Sequence, residues 1–353
     1  MKPPVARLAP SPTGILHVGN ARSLMWAWLS ARARKGRVYL RVEDLLPGAR
    51  EHVASVLEDL VWLGLDWDPP PELSPGRASC GDFSDIAADR ADFVMQSQRT
   101  DLYRGLLARL NEAGLVYPCV CTRKDIALAS RAPHVEDKAR AYPGTCRGRF
   151  TDEGQAFRWE TARSLRQGRS PSGVALRMKA PHEGVSFRDE FRGTMRIDVA
   201  TDSGDFVIRK KDQHFAYMFA VVVDDLEMGV TEVLRGDDLL ECTAQQLVVY
   251  RALIEHTSAR SWPGKPAALQ VPQWVHVPLV LGADGRRLAK RDRSIHVRQL
   301  ADSGISAPQL RAWMAKSMGL PETGDLQQLL AAWPATTLNP EAVVFTADET
   351  LGA

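Results

Sequence analysis

The sequence predicts an α/β protein: a parallel, Rossmann-type sheet, interrupted by an inserted module and followed by a short helical C-terminal region. Three observations carry this reading. Val5–Ala9 is a short apolar run, followed by a Pro/Ser/Gly loop, then Ala21–Arg34 with helical composition, then a second apolar run at Val38–Val42. Strand, glycine-bearing loop, helix and strand form the opening of a βαβ unit. Strong apolar signal returns at Phe206–Ile208, Phe215–Val223 and His276–Leu281, which supplies a second half for the sheet. Between the halves, Cys119 to about Arg177 carries many charges and few long apolar runs, as an insert would.

The remaining elements follow from local punctuation. Glu51–Leu63 reads as an amphipathic helix closed by Gly64, and Thr100–Glu112 as a helix stopped by Gly114. Pro69–Gly81, rich in Pro, Gly and Ser, reads as a surface loop. The last sixty or so residues are mostly helical, with a Pro/Gly-punctuated tail. The expected division is 1–104 for the first half of the sheet domain, 105–210 for the insert, 211–285 for the second half and 286–353 for the C-terminal region.

A chain of 353 residues has room for two or three structural units. Its 44% hydrophobic and 25% charged residues are ordinary for a soluble globular protein. The net charge of +2 is too mild to demonstrate a nucleic-acid partner, but it leaves room for a local basic stretch at Arg286, Arg287, Lys290, Arg291 and Arg293. The N-terminus lacks a secretory h-region, and Phe215–Val223 falls far short of the ~20 apolar residues of a membrane helix. Three of the five cysteines cluster, which suits a metal site in a reducing compartment better than a disulfide framework. A cytoplasmic, monomeric protein without membrane partners is expected.

The loop Arg7-Leu8-Ala9-Pro10-Ser11-Pro12-Thr13-Gly14 leads into His17-Val18-Gly19-Asn20, between a predicted strand and a predicted helix. Free N–H groups and the positive dipole end make such a helix start suitable for phosphate. Gly19 permits close approach to the backbone, and His17 can donate to a phosphate oxygen as charge builds. Arg41-Val42-Glu43-Asp44 ends the second predicted strand, where open α/β sheets bind ligands. An Arg41–Glu43 salt bridge would be the purely structural use of that pair.

The string Arg-x-Ala-Pro-Ser-Pro-Thr-Gly-x-Leu-His-x-Gly resembles the first signature of class I glutamyl- and glutaminyl-tRNA synthetases. Asn20 stands where that family has a second histidine, and an amide can still donate to a phosphate. Phe215-Ala216-Tyr217, Val221–Asp225 and Gly229–Asp238 resemble the same family in the same order. The resemblance implies ATP bound by Pro10, His17, Gly19, Asn20 and Lys290. It implies glutamate bound by Arg7, Ser11, Glu43, Tyr217 and Arg235, with Glu43 on the α-amino group and Arg235 on the side-chain carboxylate. Arginine suits that last role because its planar fork pairs with a carboxylate. Gly285–Arg291 occupies the place of the family's second signature, Lys-Met-Ser-Lys-Ser; its matching lysine is Lys290, while Ala289 and Arg291 depart from the serines. His17 and Lys290 are the expected catalytic residues.

Cys119-Val120-Cys121, with Cys146 later, can supply three thiolates to tetrahedral Zn²⁺. Chemistry alone leaves the fourth ligand open, with His134 the better zinc ligand of the candidates. Tyr142, in Tyr-x-x-x-Cys, matches the Cys-x-Cys…Tyr-x-x-x-Cys arrangement of glutamyl-queuosine tRNA(Asp) synthetases. A metal-free trio of buried thiols is the alternative. Cys80 and Cys242 are expected to be unpaired.

The resemblance runs from Arg7 to about Arg291, and the remaining Asp292–Ala353 is too short for the helical anticodon-binding region of full glutamyl-tRNA synthetases. It therefore implies ATP-dependent activation of L-glutamate, with Mg²⁺ on the phosphates and one structural Zn²⁺. Glutamate would then pass to queuosine at the wobble position of tRNA(Asp). A short glutamyl-tRNA synthetase charging the 3′ end, an inactive RNA-binding paralogue and an unrelated nucleotidyltransferase are the competing readings.

Overall fold

The computed structural model describes residues 2–345 apart from 13, 72–76, 80–82, 84–85, 87–89, 130–140, 258–261, 263–268, 283, 287, 289–295 and 334–337. Val5–Leu8 (β1) leads through the Pro/Ser/Gly loop into the helix Val18–Ala33 (α1), which returns the chain to Arg37–Val42 (β2). β1 and β2 pair in parallel, Val5 opposite Arg37 and Leu8 opposite Leu40. α1 lacks a polar stripe because it is covered on several sides. Met25, Trp26 and Leu29 sit in one core cluster with Leu40 of β2 and with Trp313 and Met314 near the C-terminus.

The helix expected over Glu51–Leu63 begins as a 3-10 turn at Ala49–His52 and becomes α-helical at Val53–Trp62 (α2). Gly64, at φ 72°, closes it in the left-handed conformation that glycine adopts without steric cost. Within the expected Pro69–Gly81 loop, Arg77–Ala78 (β3) forms a short antiparallel edge on Phe93–Met95 (β4), which in turn runs parallel to β2. Thr100–Glu112 (α3) spans its predicted residues.

Val116–Cys119 (β5) opens the span expected as an insert. Glu153–Arg166 (α4) follows, its start fixed by Asp152, whose side chain accepts from the Gln155 N–H. Ala175–Met178 (β6) pairs antiparallel with β5 and with Phe206–Arg209 (β9), giving a three-stranded sheet. The hairpin of Val185–Asp189 (β7) and Gly193–Ile197 (β8) lies within 105–210 but joins the main sheet instead.

The apolar run Phe215–Val223 enters the helix Tyr217–Met228 (α5), closed by Gly229 at φ 69°. Glu232–Gly236 (β10), Leu240–His256 (α6) and Gln273–Val277 (β11) complete a second crossover, with β10 parallel to β11 and β11 parallel to β7. Val280–Leu281 (β12) pairs with Val343–Val344 (β13). Between those two strands lie the helices Val297–Asp302 (α7), Ala307–Ser317 (α8) and Leu326–Ala332 (α9).

The two half-sheets meet where β1 lies beside β10. Thr231 N–H donates to Val5 O at 2.8 Å, and Arg7 Nη1 donates to Leu234 O at 3.0 Å. β1 thus has β2 on one side and β10 on the other. Its C-terminal end is the switch point where an open parallel sheet offers a crevice. Among the described residues, no helix is long and apolar enough to cross a membrane.

Candidate active site

β1 stops at Leu8, β2 at Val42 and β10 at Gly236, so Pro10, Ser11, Glu43 and Arg235 arrive together at one edge of the sheet. A cavity of about 310 Å³ opens there. It is lined by the five residues expected around the amino acid (Arg7, Ser11, Glu43, Tyr217, Arg235) and by four expected around the nucleotide (Pro10, His17, Gly19, Asn20). Leu288, from the second-signature segment, borders the same cavity. Lys290 lies outside the described residues, as do Ala289 and Arg291.

His17 is the N-cap of α1. Its Nδ1 accepts from the Asn20 N–H at 3.3 Å, which leaves Nε2 as the proton-bearing nitrogen of the neutral ring. The first turn of α1 carries no acidic residue, so its positive dipole end is not offset locally. A Cβ on Gly19 would come within 3.3 Å of the His17 ring, tighter than most Cβ contacts, so a side chain there would push the ring by a few tenths of an ångström.

Glu43 is buried and held from two sides. Ser11 Oγ donates to it at 3.1 Å, and Arg41 Nη2 lies 3.1 Å from its other oxygen. The Arg41–Glu43 pair therefore exists, and Glu43 still faces the cavity. Arg41 also meets Asp225 at 2.5 Å and Asp224 at 3.6 Å, while Arg7 sits 3.9 Å from Asp225. Burial pushes the Glu43 carboxyl above its usual range; Arg41, Arg7 and the Ser11 hydrogen bond oppose that without cancelling it. A cationic group entering the cavity would supply the missing counter-charge.

Arg235 is not paired with Asp237, which binds Arg192 instead at 2.5 Å. Its Nε donates to His276 Nε2 at 3.0 Å, and its Nη2 to Thr243 Oγ1 at 2.8 Å and Leu239 O at 3.3 Å. Its Nη1 reaches the Tyr217 hydroxyl at 3.4 Å. The guanidinium lies over the Trp274 ring, 4.9 Å from its centroid. Behind it, His276 Nδ1 lies 2.7 Å from Asp189 Oδ2. Burial, opposed by the Asp189 hydrogen bond and reinforced by Arg235, holds the His276 pKa below its ordinary value. Burial pushes the Asp189 carboxyl up, but hydrogen bonds from His276 and from backbone N–H groups outweigh it and hold the pKa low. Sequence reasoning missed Thr243, His276 and Asp189. The one visible signal was a histidine inside the apolar run His276–Leu281.

In the inserted region, the sulfurs of Cys119, Cys121 and Cys146 all lie within 4.8 Å of one another. The Tyr142 hydroxyl is 3.4 Å from Cys119 Sγ and 3.5 Å from Cys121 Sγ, and it accepts from the Cys146 N–H at 2.9 Å. Zn–S bonds of ~2.3 Å and a Zn–O bond of ~2.0 Å in a tetrahedron imply ligand separations of roughly 3.5–3.8 Å, so this donor set can hold such an ion. Arg177 donates to Cys119 Sγ at 3.3 Å and stacks over the Tyr142 ring at 3.8 Å, a cation beside groups that must become anionic to bind metal. A Cβ on Gly204 would overlap the Tyr142 carbonyl, so glycine lets the two backbones bridge and places the phenol. His134 and Cys80 lie outside the described residues; Cys242 is an unpaired thiol.

A family model for tRNA synthetases class I (E and Q), catalytic domain, matches residues 5–327. The chain is 40% identical over 316 residues to the glutamyl-Q tRNA(Asp) synthetase of Nitratidesulfovibrio vulgaris, covering 89% of this chain and 86% of that relative. It is 39% identical to the protein of the same name from Symbiobacterium thermophilum, over 98% of this chain and 97% of the relative. Glutamate–tRNA ligase 2 of Syntrophus aciditrophicus is 34% identical, and the chain spans 65% of its length. A crystal structure of a glutamate tRNA ligase from Elizabethkingia meningosepticum superposes with a TM-score of 0.69 at 22% identity, over 99% of this chain and 68% of that one, a likeness of fold. Because the signature loop and the pocket strands fall within that single matched span, the chain belongs to the class I tRNA synthetases (E and Q) and is an enzyme of the ligase kind, similar over most of its length to relatives named glutamyl-Q tRNA(Asp) synthetase.

Proposed function

We propose that the protein activates L-glutamate with ATP and transfers it to the queuosine base at the wobble position of tRNA(Asp). The observation that carries this reading is the cavity at the end of β1. There a buried acid, Glu43, and a buried guanidinium, Arg235, stand beside the N-terminus of α1. An amino acid with a side-chain carboxylate satisfies both, its ammonium on Glu43 and its side chain on Arg235.

In the first step, an oxygen of the glutamate α-carboxylate attacks the ATP α-phosphorus. The bond to the bridging oxygen breaks, giving glutamyl-adenylate and pyrophosphate. His17 Nε2–H, the first turn of α1 and Lys290 stabilise the charge that builds on the phosphates. Mg²⁺ would accompany the triphosphate. In the second step, a hydroxyl of the queuosine ring attacks the glutamyl carbonyl, the bond from that carbon to the AMP phosphate breaks, and AMP leaves with the electron pair while its phosphate takes up the hydroxyl proton. Neither step needs a protein nucleophile; positioning and charge stabilisation suffice. Cys119, Cys121, Cys146 and Tyr142 would hold one Zn²⁺, which ties the inserted region together and takes no part in transfer.

The choice of acceptor is supported by the name shared by the relatives at 39–40% identity. A splayed wobble base can reach an open sheet edge, as single-stranded RNA recognition allows. The deciding experiment uses queuosine-containing tRNA(Asp) with its terminal adenosine removed, because periodate would also oxidise the queuosine diol. Labelled glutamate should attach to the trimmed tRNA and not to the same transcript lacking queuosine. Attachment to intact tRNA(Glu) alone would instead identify a synthetase that charges the 3′ end. That second reading is favoured by the 34% identity to a glutamate–tRNA ligase.

A further inference from the structure

Arg235 is an unusual cation: the four acceptors that hold it are an imidazole nitrogen, two hydroxyls and a backbone carbonyl, none of them a carboxylate. A guanidinium has five N–H donors. Among the described residues four are engaged, and the longest of these bonds, 3.4 Å, comes from Nη1 to Tyr217. The remaining N–H is therefore on Nη1, at the edge that shares the cavity with Tyr217. If the Tyr217 oxygen accepts from Arg235, its own proton is left to donate to the same ligand oxygen.

That presentation depends on the nitrogen behind it. Arg235 Nε can donate to His276 Nε2 only if that nitrogen carries a lone pair, which puts the imidazole proton on Nδ1. Asp189 Oδ2 lies 2.7 Å from Nδ1 and accepts that proton's hydrogen bond. Asp189 is itself fixed by three backbone donors: Phe191 N at 3.0 Å and Arg192 N at 2.8 Å on Oδ1, and His276 N at 3.0 Å on Oδ2. Both side chains are fully buried. Thr243 Oγ1, 3.1 Å from Nε2, could accept from the alternative tautomer, but that tautomer would set its Nε2–H against the Nε–H of Arg235 and turn an Nδ1 lone pair toward the Asp189 carboxylate.

We infer that Asp189 and His276 are positioning residues that lock Arg235 in the rotation which offers its Nη1 edge to the side-chain carboxylate of the substrate. The inference rests on the glutamate reading above and names what makes that pocket selective for an acid. The relay spans three strands: Asp189 ends β7, His276 sits in β11 and Arg235 in β10, where Arg235 and His276 are register partners. The sheet pairing, rather than a loop, sets their spacing.

Two variants separate the imidazole's hydrogen bond to Asp189 from its hydrogen bond to Arg235. His276→Asn keeps a donor for Asp189 but cannot reach Arg235. His276→Gln places an amide oxygen where Nε2 stood and keeps an acceptor for Arg235. In glutamate-dependent ATP–pyrophosphate exchange, with tRNA present, His276→Asn should raise the glutamate KM about tenfold or more, the scale of one hydrogen bond to a charged group, with the ATP KM unchanged. His276→Gln should recover most of that loss. Equal damage from both variants, or equal rises in glutamate and ATP KM, would reduce the relay to a packing feature.

The wild-type protein provides a test independent of folding in the variants. Nitrogen-15 NMR of the His276 ring should show a protonated Nδ1 and an unprotonated Nε2; a protonated Nε2 overturns the inference. A wild type without glutamate-dependent exchange would instead sink the glutamate reading, while the NMR arm still reports on the relay.

Discussion

At the residue scale, the cavity works by leaving buried charges short of one partner. Glu43 lacks enough positive neighbours to stay in the ordinary carboxylate range, and the four hydrogen-bond acceptors of Arg235 are all neutral. On the proposed function, a glutamate zwitterion with its side-chain anion would meet both deficits. Arg235→Leu should therefore cost about 3–5 kcal/mol of glutamate binding, on the scale of a broken buried pair, read as a glutamate KM raised by two orders of magnitude or more. Unchanged glutamate kinetics in a folded variant would remove Arg235 from substrate recognition. Lys290→Ala should depress the exchange kcat far more than it raises the ATP KM, because a cation that meets departing pyrophosphate would act in the transition state. Equal loss in both would make it a ground-state anchor.

At the scale of elements, each strand end contributes one part of the cavity. Glu43 follows β2, Arg235 sits near the end of β10, and the loop after β1 becomes the cap of α1. Among the described residues, the apolar cluster around the cysteines is small, seven buried residues that include Cys119, Tyr142 and Cys146. A metal bridging β5 to the Tyr142–Cys146 segment would contribute to stability there out of proportion to its size. Purified protein should carry about one Zn²⁺ per chain. Cys119→Ser should lose the metal and lower the melting temperature, while adenylate formation partly survives because its residues lie elsewhere. Metal-free protein of undiminished stability would show that the thiols serve only as packing.

Across the whole molecule, one buried side chain joins the catalytic sheet to the C-terminal helices. Arg22 of α1 is fully buried. It donates through Nε to Ser317 Oγ at 2.7 Å, through Nη2 to Ser317 O at 3.0 Å and through Nη1 to Pro278 O at 2.7 Å, and it stacks on Trp26. Burial lowers its pKa to about 10 and the charge of Asp237 opposes this; its hydrogen-bond acceptors are all neutral. Arg22→Met would keep the stem packing and strand three acceptors. It should destabilise the fold by about 3 kcal/mol, measured by urea titration. A change below about 0.5 kcal/mol would mean that water replaces the guanidinium, and the link between α1 and α8 would lose its weight.

Local pattern carried much of this protein into view. Thr100–Glu112 folds over its predicted residues because its apolar period and the glycine after it are local signals. The βαβ opening was legible for the same reason, and the ordered motif strings pointed to Arg7, Glu43, Tyr217 and Arg235 before any contact was known. Other features had no local signature. The run Phe215–Val223 could not announce itself as the start of a helix, since a short apolar stretch satisfies either period. The hairpin β7–β8 lies inside a span that reads as an insert, yet β7 pairs with β11, more than eighty residues away in sequence. That pairing brings Asp189 to His276, while the β10–β11 pairing sets His276 beside Arg235. Sequence spacing encodes which residues share a helix face or a loop, but strand register decides which distant side chains meet, and a buried arginine takes its orientation from those neighbours.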